Sequence, residues 1–499
     1  MRNLSKSKLI AYRQCPRRVW LEVHKPELRA DSEPATQRMA AGNALGALAR
    51  RLYDPEGKGV TLDAQKEGFG QALERSKALL DSSAPIFEAG FAAGGGLAFA
   101  DVMLPVGKSG KPAWRMVEVK SATSVKDYHR EDAAIQSYVA KQAGVALESI
   151  AVAHIDSDWV YPGGERYQGL LVEEDLTEEA DALAGDVKQW IAEAHDIVGK
   201  AEPKVATGAQ CSSPFDCGFI GHCSVGEKQA EFPISWLPRL QKKSVQDFIE
   251  TKAITDLRDV PDEYLNDIQR RVKEQTLAGK PYFDRASAAV ELAPHKLPAW
   301  FLDFETVQFT VPIWKGTRPY QQIPFQLSVH RLSKAGTLEH RQFLDLSGED
   351  PCEAFAEALI RECRGAGPVF VYNAGFESSR IKELAERFRR LSPELNAISD
   401  RIVDLLPIAR RHYYHPDQHG SWSIKSVLPA VVPDLRYDAL DGVNNGAMAS
   451  SAYLEAIGQD TPATRREEIF RQLTQYCQLD TYAMVRLWQN FAGRGDLRL

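Results

Sequence analysis

A short apolar run that carries two acidic side chains constrains the fold of this chain more than any other stretch. Residues 300–306 read WFLDFET, and Pro298 lies just before them. The run has the length and apolar content of a buried strand, in which alternate side chains share one face. Asp303 and Glu305 therefore point the same way, and two carboxylates in apolar surroundings repel each other unless a cation lies between them. Hard divalent cations such as Mg²⁺ and Mn²⁺ prefer carboxylate oxygens, so a metal site is expected here. The alternative is a strand end with two solvated acids.

Two later segments can bring further ligands to these acids. An apolar strand runs into a small-residue turn, and helical periodicity begins soon after it, which places Glu377 at a strand-to-helix junction. A long terminal helix is predicted to carry Tyr476 and Asp480, which are four positions apart and share one helical face. Asp400 and Asp404 are alternatives to Glu377. Asp404, however, ends a short predicted strand, which favours a role as a helix cap.

These motifs resemble those of the DEDD exonucleases on the ribonuclease H fold, in their tyrosine-bearing (DEDDy) subgroup. The three family motifs are matched by Asp303-x-Glu305, by a segment that ends in Glu377, and by Tyr476-x-x-x-Asp480. The second family motif normally ends in Asp rather than Glu. Three successive strands followed by alternating helix and strand also agree with the fold. The resemblance covers roughly the last 200 residues, and it implies a 3′-to-5′ exonuclease in which the four carboxylates hold two Mg²⁺ or Mn²⁺ ions and Tyr476 positions the attacking water.

A second group of chemically active residues lies near the N-terminus, on a set of three predicted strands. Asp101 lies on the second strand, and Glu118-x-Lys120 lies on the third, where both side chains share a face. A carboxylate pair can hold Mg²⁺, and a nearby ammonium group can orient water and offset phosphate charge. A helix and a fourth strand are predicted to follow. Taken alone, an Asp followed by Glu-x-Lys is a weak motif.

Four of the seven cysteines are candidate ligands of one cofactor. Cys15 lies in a basic, helix-like opening, whereas Cys211, Cys217 and Cys223 follow one another at intervals of six residues in a loop that contains Pro and Gly. Structural disulfides are not expected in a reducing compartment, and zinc sites usually use closer cysteine pairs. A [4Fe–4S] cluster accepts such wide intervals and is the favoured prediction. Zinc and unligated buried thiols are the alternatives.

One cysteine before an acidic core and three after it is the arrangement found in nucleases that resemble RecB, including the CRISPR adaptation nuclease. The N-terminal part therefore resembles an iron-sulfur PD-(D/E)XK nuclease of the restriction-endonuclease-like fold. The resemblance implies that Asp101 and Glu118 are metal ligands, that Lys120 is catalytic, and that Glu88 is a further candidate ligand. The histidine that this family carries in its early helix is absent from the corresponding residues 42–50.

Composition and charge limit the remaining classes of function. A hydrophobic content of 44% and a charged content of 26% are ordinary for a globular protein. No apolar run of about 18 residues predicts a membrane span and the N-terminus lacks the apolar core of a signal peptide, so a cytoplasmic protein that does not enter a membrane is expected. With a net charge of −7, contact with nucleic acid must rely on local basic patches.

Together these features predict an α/β protein with three parts. They are a RecB-like PD-(D/E)XK nuclease domain with a four-cysteine cluster over residues 1–228, a helical linker domain over residues 229–294, and a ribonuclease H-like DEDDy exonuclease domain over residues 295–499. As a whole, the chain resembles bacterial proteins that fuse an iron-sulfur RecB-like nuclease to a DEDD-type exonuclease. The resemblance implies metal-dependent hydrolysis of phosphodiester bonds, with single-stranded or frayed DNA as the favoured substrate. RNA as the substrate, or a nucleic-acid-binding protein with one decayed nuclease site, are the alternatives.

Overall fold

The computed structural model describes residues 3–106, 113–227, 230–240, 242–435, 437 and 440–497. The chain divides into two compact units. Unit 1 comprises Met1–Glu227 together with Phe309–Gln321, and unit 2 comprises Lys228–Gln308 together with Gln322–Leu499. Both units combine helices with a mixed sheet, so the predicted α/β class is confirmed. The predicted linker domain, residues 229–294, falls within unit 2.

Unit 1 is built around one mixed sheet with helices packed against it. In chain order its elements are β1 (Leu4–Ser5), α1 (Lys6–Gln14), α2 (Pro16–His24), α3 (Glu33–Tyr53), β2 (Val60–Thr61), α4 (Ala64–Glu67), α5 (Phe69–Leu79), β3 (Ile86–Ala93), β4 (Gly96–Pro105), β5 (Trp114–Lys120), α6 (Asp127–Gln142), β6 (Leu147–Ile155), β7 (Leu171–Asp175), α7 (Thr177–Ala182), α8 (Ala184–Val198) and α9 (Ile220–Cys223).

The sheet of unit 1 has the order β2-β3-β4-β5-β6-β7, and β1 pairs with β4. The central hairpins β3–β4 and β4–β5 are antiparallel, whereas β5 and β6 are parallel and are joined by the crossover helix α6. The buried face of α6 includes Ala133, Ile135 and Val139, which join the apolar core of the sheet. The helix packs against β3, β4 and β6.

The opening helices of unit 1 are divided at Cys15. Ser5 caps α1, because its side chain accepts a hydrogen bond from the backbone N–H of Lys8. Cys15 adopts an extended backbone, and Pro16 then begins α2. A proline is suited to the first helical position, since its missing N–H has no partner there. The break leaves the Cys15 side chain at the junction of two helices.

Unit 2 begins with short helices and continues into a second sheet. In chain order its elements are α10 (Lys243–Thr251), α11 (Asp267–Ala278), β8 (Tyr282–Phe283), α12 (Arg285–Leu292), β9 (Ala299–Val307), β10 (Ile323–Leu332), β11 (Leu338–Leu344), α13 (Cys352–Glu362), β12 (Val369–Val371), α14 (Gly375–Arg387), α15 (Ser392–Ser399), β13 (Ile402–Asp404), α16 (Leu405–His412), β14 (Tyr413–Tyr414), α17 (Ile424–Val431), α18 (Gly446–Ala456) and α19 (Ala463–Phe491).

The main sheet of unit 2 has the order β11-β10-β9-β12-β13. The strands β9, β10 and β11 form an antiparallel meander, and β12 and β13 continue the sheet in parallel with β9. The 29-residue helix α19 buries one face, with Leu473, Cys477, Asp480, Met484 and Trp488 recurring every three to four residues. Packing of α19 on β9 and β10 brings the middle of the helix over the strand that carries the two predicted acids.

Among the described residues, no helix is both long and apolar enough to cross a membrane.

Candidate functional sites

The tightest group of acidic side chains lies in unit 2, where β9 faces α19. Asp303 and Glu305 are two residues apart on β9, and Asp480 is buried on α19. One carboxylate oxygen from each of the three lies within 4.8 Å of the others. Within the described part of the chain, no other set of three or more Asp, Glu, His or Cys side chains comes together this closely. The first and third predicted motifs therefore meet in space.

Burial and mutual repulsion raise the pKa values of these acids. Burial raises the pKa of Glu305 to about 8, with a further contribution from Asp480. Burial also raises the pKa of Asp480 to about 6, although hydrogen bonding to Tyr437 opposes the rise. The pKa of Asp303 lies well above its ordinary value because of burial and the neighbouring carboxylates. Three acids with raised pKa values in one place, two of them buried and Asp303 half-buried, have the donor set that a hard divalent cation prefers.

Glu377 lies close to this group without joining the tight trio. It occupies the first turn of α14 and is buried, and its Oε2 atom has no hydrogen-bond partner. Burial raises the pKa of Glu377 to about 8, and its charge in turn contributes to the raised pKa of Asp303. An unpartnered buried carboxylate oxygen is costly unless a ligand satisfies it, so Glu377 fits a further metal ligand.

Asp404, the alternative to Glu377, acts as a helix cap. Its carboxylate accepts hydrogen bonds from the backbone N–H groups of Asn373, Ala374 and Leu406 at 2.9–3.0 Å. The contact with Leu406 caps α16, as predicted, and the other two hold the turn that precedes Glu377. The carboxylate of Asp404 thus orders the second motif instead of supplying a ligand.

Two tyrosines lie beside Asp480. Tyr476 lies one turn before Asp480 on α19, and hydrogen bonding to Tyr476 lowers the pKa of Asp480. Tyr437 donates a hydrogen bond of 2.5 Å to Asp480, and the rings of the two tyrosines are 6.4 Å apart. Sequence reasoning found Tyr476 from its helical spacing. It missed Tyr437, because an isolated tyrosine in a connecting segment has no pattern that marks it.

A lysine completes the surroundings of this group. The Nζ atom of Lys425, on α17, lies 5.0 Å from the ring centroid of Tyr476 and 5.1 Å from that of Tyr437. It also donates a hydrogen bond of 2.7 Å to the carbonyl oxygen of Asn444. Burial lowers the pKa of Lys425, whereas Asp480 and Glu305 act in the opposite direction. Lys425 was also missed by sequence reasoning and puts one positive charge next to the acids.

The predicted residues of unit 1 come together at the paired strands β4 and β5. Asp101 on β4 accepts a hydrogen bond of 2.8 Å from the backbone N–H of Val119. Glu118 is buried on β5, and its Oε1 atom accepts a hydrogen bond of 2.7 Å from Lys120. The Oε2 atom of Glu118 is buried and has no partner. The structure therefore brings Asp101, Glu118 and Lys120 into one site and leaves a carboxylate oxygen free for a ligand.

Two further charged side chains enter this site, and sequence reasoning found neither. Lys6, the first residue of α1, donates a hydrogen bond of 2.6 Å to Glu118. Asp132, buried on α6, accepts a short hydrogen bond from Lys120. Gln136 lies one turn later on α6, and its amide nitrogen is 3.5 Å from Asp132. Lys6 is remote in sequence from its partner, so no local spacing marks it.

In this site, neighbouring charges outweigh the effect of burial on the pKa values of Glu118 and Lys120. Burial raises the pKa of Asp101 to about 7, together with the charge of Glu118. Burial acts to raise the pKa of Glu118 as well, but the ammonium groups of Lys120 and Lys6 outweigh it and keep that pKa below its usual range. Burial acts to lower the pKa of Lys120, and Asp132 and Glu118 outweigh it, so the pKa of Lys120 is raised. A charged Lys120 fits a role in contact with phosphate rather than as a base.

Glu88 lies near this site but is engaged elsewhere. It is on β3 with a positive φ of 59°, and its side chain is 39% exposed. Its carboxylate lies 3.4 Å from the guanidinium group of Arg50. Burial raises the pKa of Glu88, and Glu118 adds to the rise, so the two carboxylates influence each other.

The four predicted cluster ligands line one small cavity in unit 1. Cys15, Cys211, Cys217 and Cys223 surround it together with Arg17 and Arg18. All four thiols are free. Burial raises the pKa of Cys217 and Cys223, and the neighbouring thiols of the set add to both rises. The two arginines place positive charge where an anionic cluster would lie.

The four thiols are not gathered as closely as the ligands of one bound zinc ion would be. A single tetrahedral zinc with Zn–S bonds of about 2.3 Å requires sulfur atoms about 3.8 Å apart. The four cysteines do not form a set of three or more ligand atoms within 4.8 Å of one another, although the described residues include all of them. The other three cysteines, Cys352, Cys363 and Cys477, are buried in unit 2.

Comparison with known families matches one segment of the chain. Residues 300–423 match a family described as Domain of unknown function (DUF2779). This segment contains the first two acidic motifs, with Asp303, Glu305 and Glu377, and ends before Tyr476 and Asp480. No curated protein matches the chain.

Proposed function

We propose that this chain is a Mg²⁺- or Mn²⁺-dependent nuclease with an exonuclease site in unit 2 and a RecB-like nuclease site in unit 1. The observation that carries the proposal is the convergence of Asp303, Glu305 and Asp480 within 4.8 Å. These three carboxylates, two from β9 and one from the remote helix α19, repel one another when ionised in the absence of a cation. A divalent ion relieves that repulsion, which explains why the fold tolerates the arrangement.

The topology of unit 2 supports a DEDDy exonuclease of the ribonuclease H fold. An antiparallel meander leads into parallel strands that alternate with helices, and a long terminal helix packs over the first strand. The first motif lies on β9, the second at the start of α14 and the third on α19, in agreement with the strand, strand-to-helix junction and terminal helix expected from the resemblance. Because one fold can host many functions, the proposal rests on these side chains rather than on topology alone.

Each residue of the unit 2 site has a defined role in the proposal. Asp303, Glu305, Asp480 and Glu377 would hold the divalent ions, and Tyr476 would orient the attacking water. Bound ions of this kind lower the pKa of water and offset the charge that develops on the phosphate. Lys425, held between the two tyrosines, would attract the phosphodiester backbone to the acids. The Glu377 side chain is one methylene longer than the usual Asp, and its unpartnered Oε2 atom is available to a ligand.

The unit 1 site supports a second hydrolytic centre of the PD-(D/E)XK type. Asp101 and Glu118 would hold one divalent ion, which the free Oε2 atom of Glu118 favours. Lys120 is charged and would bind the phosphate group that is attacked. Glu88 is paired with Arg50, so it would contribute charge near the site rather than a required ligand.

We further propose that the four cysteines hold a [4Fe–4S] cluster with a structural role. The cluster would fasten the start of unit 1, at Cys15, to the loop that carries Cys211, Cys217 and Cys223. Segments this far apart in the chain gain most from such a tie, because closing a long loop costs the unfolded chain the most entropy. Electron transfer is not required for this role.

Single-stranded or frayed DNA is the proposed substrate. A 3′-to-5′ exonuclease of this class acts on a chain end, and single strands reach buried acids more readily than a duplex does. RNA remains the rival substrate, because base stacking and backbone contacts serve both nucleic acids.

The central experiment is a nuclease assay on anaerobically purified protein with Mg²⁺ and with Mn²⁺. End-labelled single-stranded DNA and a matched RNA are compared for the wild type, Lys120→Ala, Asp480→Asn and the control Glu467→Gln. Glu467 is exposed on the same helix as Asp480, so its substitution tests for effects on the helix itself. Lys120→Ala and Asp480→Asn are each expected to remove a distinct set of products, with the control unchanged. Metal-independent binding without cleavage would instead support a nucleic-acid-binding protein.

A further inference from the structure

The unit 1 site contains a second ammonium group, that of Lys6, to which the proposed hydrolysis assigns no role. The Nζ atom of Lys6 lies 2.6 Å from Glu118 Oε1, and Lys120 donates to the same oxygen atom at 2.7 Å. The other oxygen of Glu118 has no partner. Two positive groups therefore crowd one carboxylate oxygen, which is an unfavourable way to neutralise a single buried acid.

Lys6 and Lys120 differ in how firmly the protein holds them. Lys120 bonds to both Glu118 and Asp132. Lys6 donates a hydrogen bond to Glu118 only, and its contact with Asp132 is a longer ion pair of 3.8 Å. Lysine has a flexible stem, so its ammonium group can turn toward a new partner at small cost. Lys6 is thus the ammonium group of the pair that has only one hydrogen bond to break when it turns toward a new partner.

The net charge of the site also fits a role for both ammonium groups in binding phosphate. Asp101, Glu118 and Asp132 carry three negative charges when ionised, and Lys6 and Lys120 carry two positive charges. The net charge of the side chains is then −1, and a divalent ion held by Asp101 and Glu118 changes it to +1. A single phosphodiester carries −1, so the loaded site matches one phosphate group. Without Lys6 the loaded site would be neutral.

We propose that Lys6 is a phosphate-binding residue of this site, which turns from Glu118 to a phosphate group of single-stranded nucleic acid when substrate enters. The inference rests on the proposed function of unit 1 and adds to it the residue that holds the substrate backbone. Lys120 remains with Glu118 and Asp132 at the bond that is cleaved, and Lys6 positions that bond by contact with a neighbouring phosphate oxygen.

The test compares Lys6→Met, Lys6→Arg and Lys8→Met in a full-length chain that also carries Asp303→Asn, which inactivates the unit 2 site. Lys8 lies on the same helix, so Lys8→Met removes the same charge without touching Glu118. The kcat and KM for cleavage of a labelled single-stranded DNA are measured at several salt concentrations. Loss of one contact with phosphate is expected to raise KM about tenfold and to reduce the slope of log kcat/KM against log salt by about 0.7.

The outcomes separate a phosphate contact from a structural role. The proposal expects a higher KM and a shallower salt slope for Lys6→Met, recovery in Lys6→Arg, and wild-type behaviour in Lys8→Met. A change in kcat or in thermal stability alone, with KM and the salt slope unchanged, would overturn it. Such a result would make Lys6 a buried counter-ion of Glu118.

A second measurement keeps the inference testable if unit 1 cleaves nothing. Binding of the same oligonucleotide is followed by fluorescence anisotropy in Ca²⁺, and Lys6→Met is compared with Lys8→Met across the same salt series. A weaker, less salt-dependent complex for Lys6→Met alone supports a phosphate contact even where the proposed hydrolysis fails. Equal binding by both variants overturns the contact.

Discussion

Tyr437 donates a hydrogen bond of 2.5 Å to Asp480, which lies 43 residues further along the chain. The bond stabilises the ionised carboxylate and lowers the pKa of Asp480 against the effect of burial. Tyr437 lies in a connecting segment without a recognisable motif, and it lowers the pKa of a proposed metal ligand.

Tyr437→Phe removes this hydrogen bond with little change in shape. The pKa of Asp480 is expected to rise, because burial is then less opposed. The acidic limb of the pH–rate profile should therefore move to higher pH, and the exonuclease rate near neutral pH should fall about tenfold. Steady-state assays from pH 5.5 to 9 measure both effects. Tyr482→Phe, a change on the same helix as Asp480, is the control, and an unmoved profile for Tyr437→Phe would contradict the assigned role.

Metal binding should stabilise the protein more strongly at higher pH. Burial raises the pKa of Glu305 to about 8 and of Asp480 to about 6, whereas free carboxyl groups titrate near pH 4. Between about pH 4 and 8 the folded, ion-free protein thus holds more protons than the unfolded chain, and these acids lower its free energy of unfolding as pH rises. Mn²⁺ binds the deprotonated acids, so a fixed Mn²⁺ concentration should raise Tm more at pH 8 than at pH 6.

The matched control for this prediction is Asp303→Asn. It removes one of the repelling charges, so the ion-free variant should melt at a higher temperature than the wild type at pH 8 and respond less to Mn²⁺. Differential scanning fluorimetry measures the Mn²⁺-induced change in Tm for both proteins at the two pH values. Ionisable groups elsewhere in the chain affect both proteins equally, so they do not contribute to the difference between them. An equal Mn²⁺ response in wild type and variant would show that the ion binds elsewhere.

Cys15→Ser should abolish cluster assembly, because one of four thiolate ligands is lost. Anaerobically purified wild type is expected to contain about four iron atoms and matching sulfide per chain, and the variant far less. Thermal stability of unit 1 should fall in the variant, since Cys15 is no longer tied to the loop. Cys363→Ser, at a buried position in unit 2, is the control and should keep its iron. About one zinc per chain, without sulfide, would contradict the prediction.

The connection between β9 and β10 should stabilise unit 1. Phe309–Gln321 belongs to unit 1, where Val311 and Tyr320 pack against an apolar cluster that contains Leu45 and Ile155. Tyr320 also donates a hydrogen bond of 2.8 Å to the carbonyl oxygen of Ser121, the residue after Lys120.

Replacement of residues 309–321 by a short glycine-containing turn tests this prediction. The side chains of Gln308 and Gln322 are 3.3 Å apart, so the β9–β10 hairpin can close without the segment. Limited proteolysis should then cut unit 1 sooner, and cleavage that depends on Lys120 should fall. The hairpin itself remains, so cleavage that depends on Asp480 should persist. Unchanged protection of unit 1 would show that the segment contributes nothing to its stability.

The sequence alone identified the parts of each site that lie close together along the chain. Asp303 and Glu305 share a strand face because side chains alternate, and Tyr476 and Asp480 share a helix face because they are four residues apart. The same periodicities located the strands that carry Asp101 and Glu118, and the apolar face of the terminal helix. These features follow from the backbone geometry of a strand or a helix, which is the same wherever the segment lies in the fold.

Only the tertiary structure decided which remote side chains complete the sites. Lys6 reaches Glu118, Tyr437 reaches Asp480, and residues 309–321 leave the hairpin of unit 2 to join unit 1. Each of these positions depends on how apolar faces pack over the whole unit. Because the hydrophobic effect is non-directional, a local sequence pattern does not show which remote segments will pack together. A single lysine or tyrosine therefore gains its chemical role only when the packed fold brings it to a buried carboxylate.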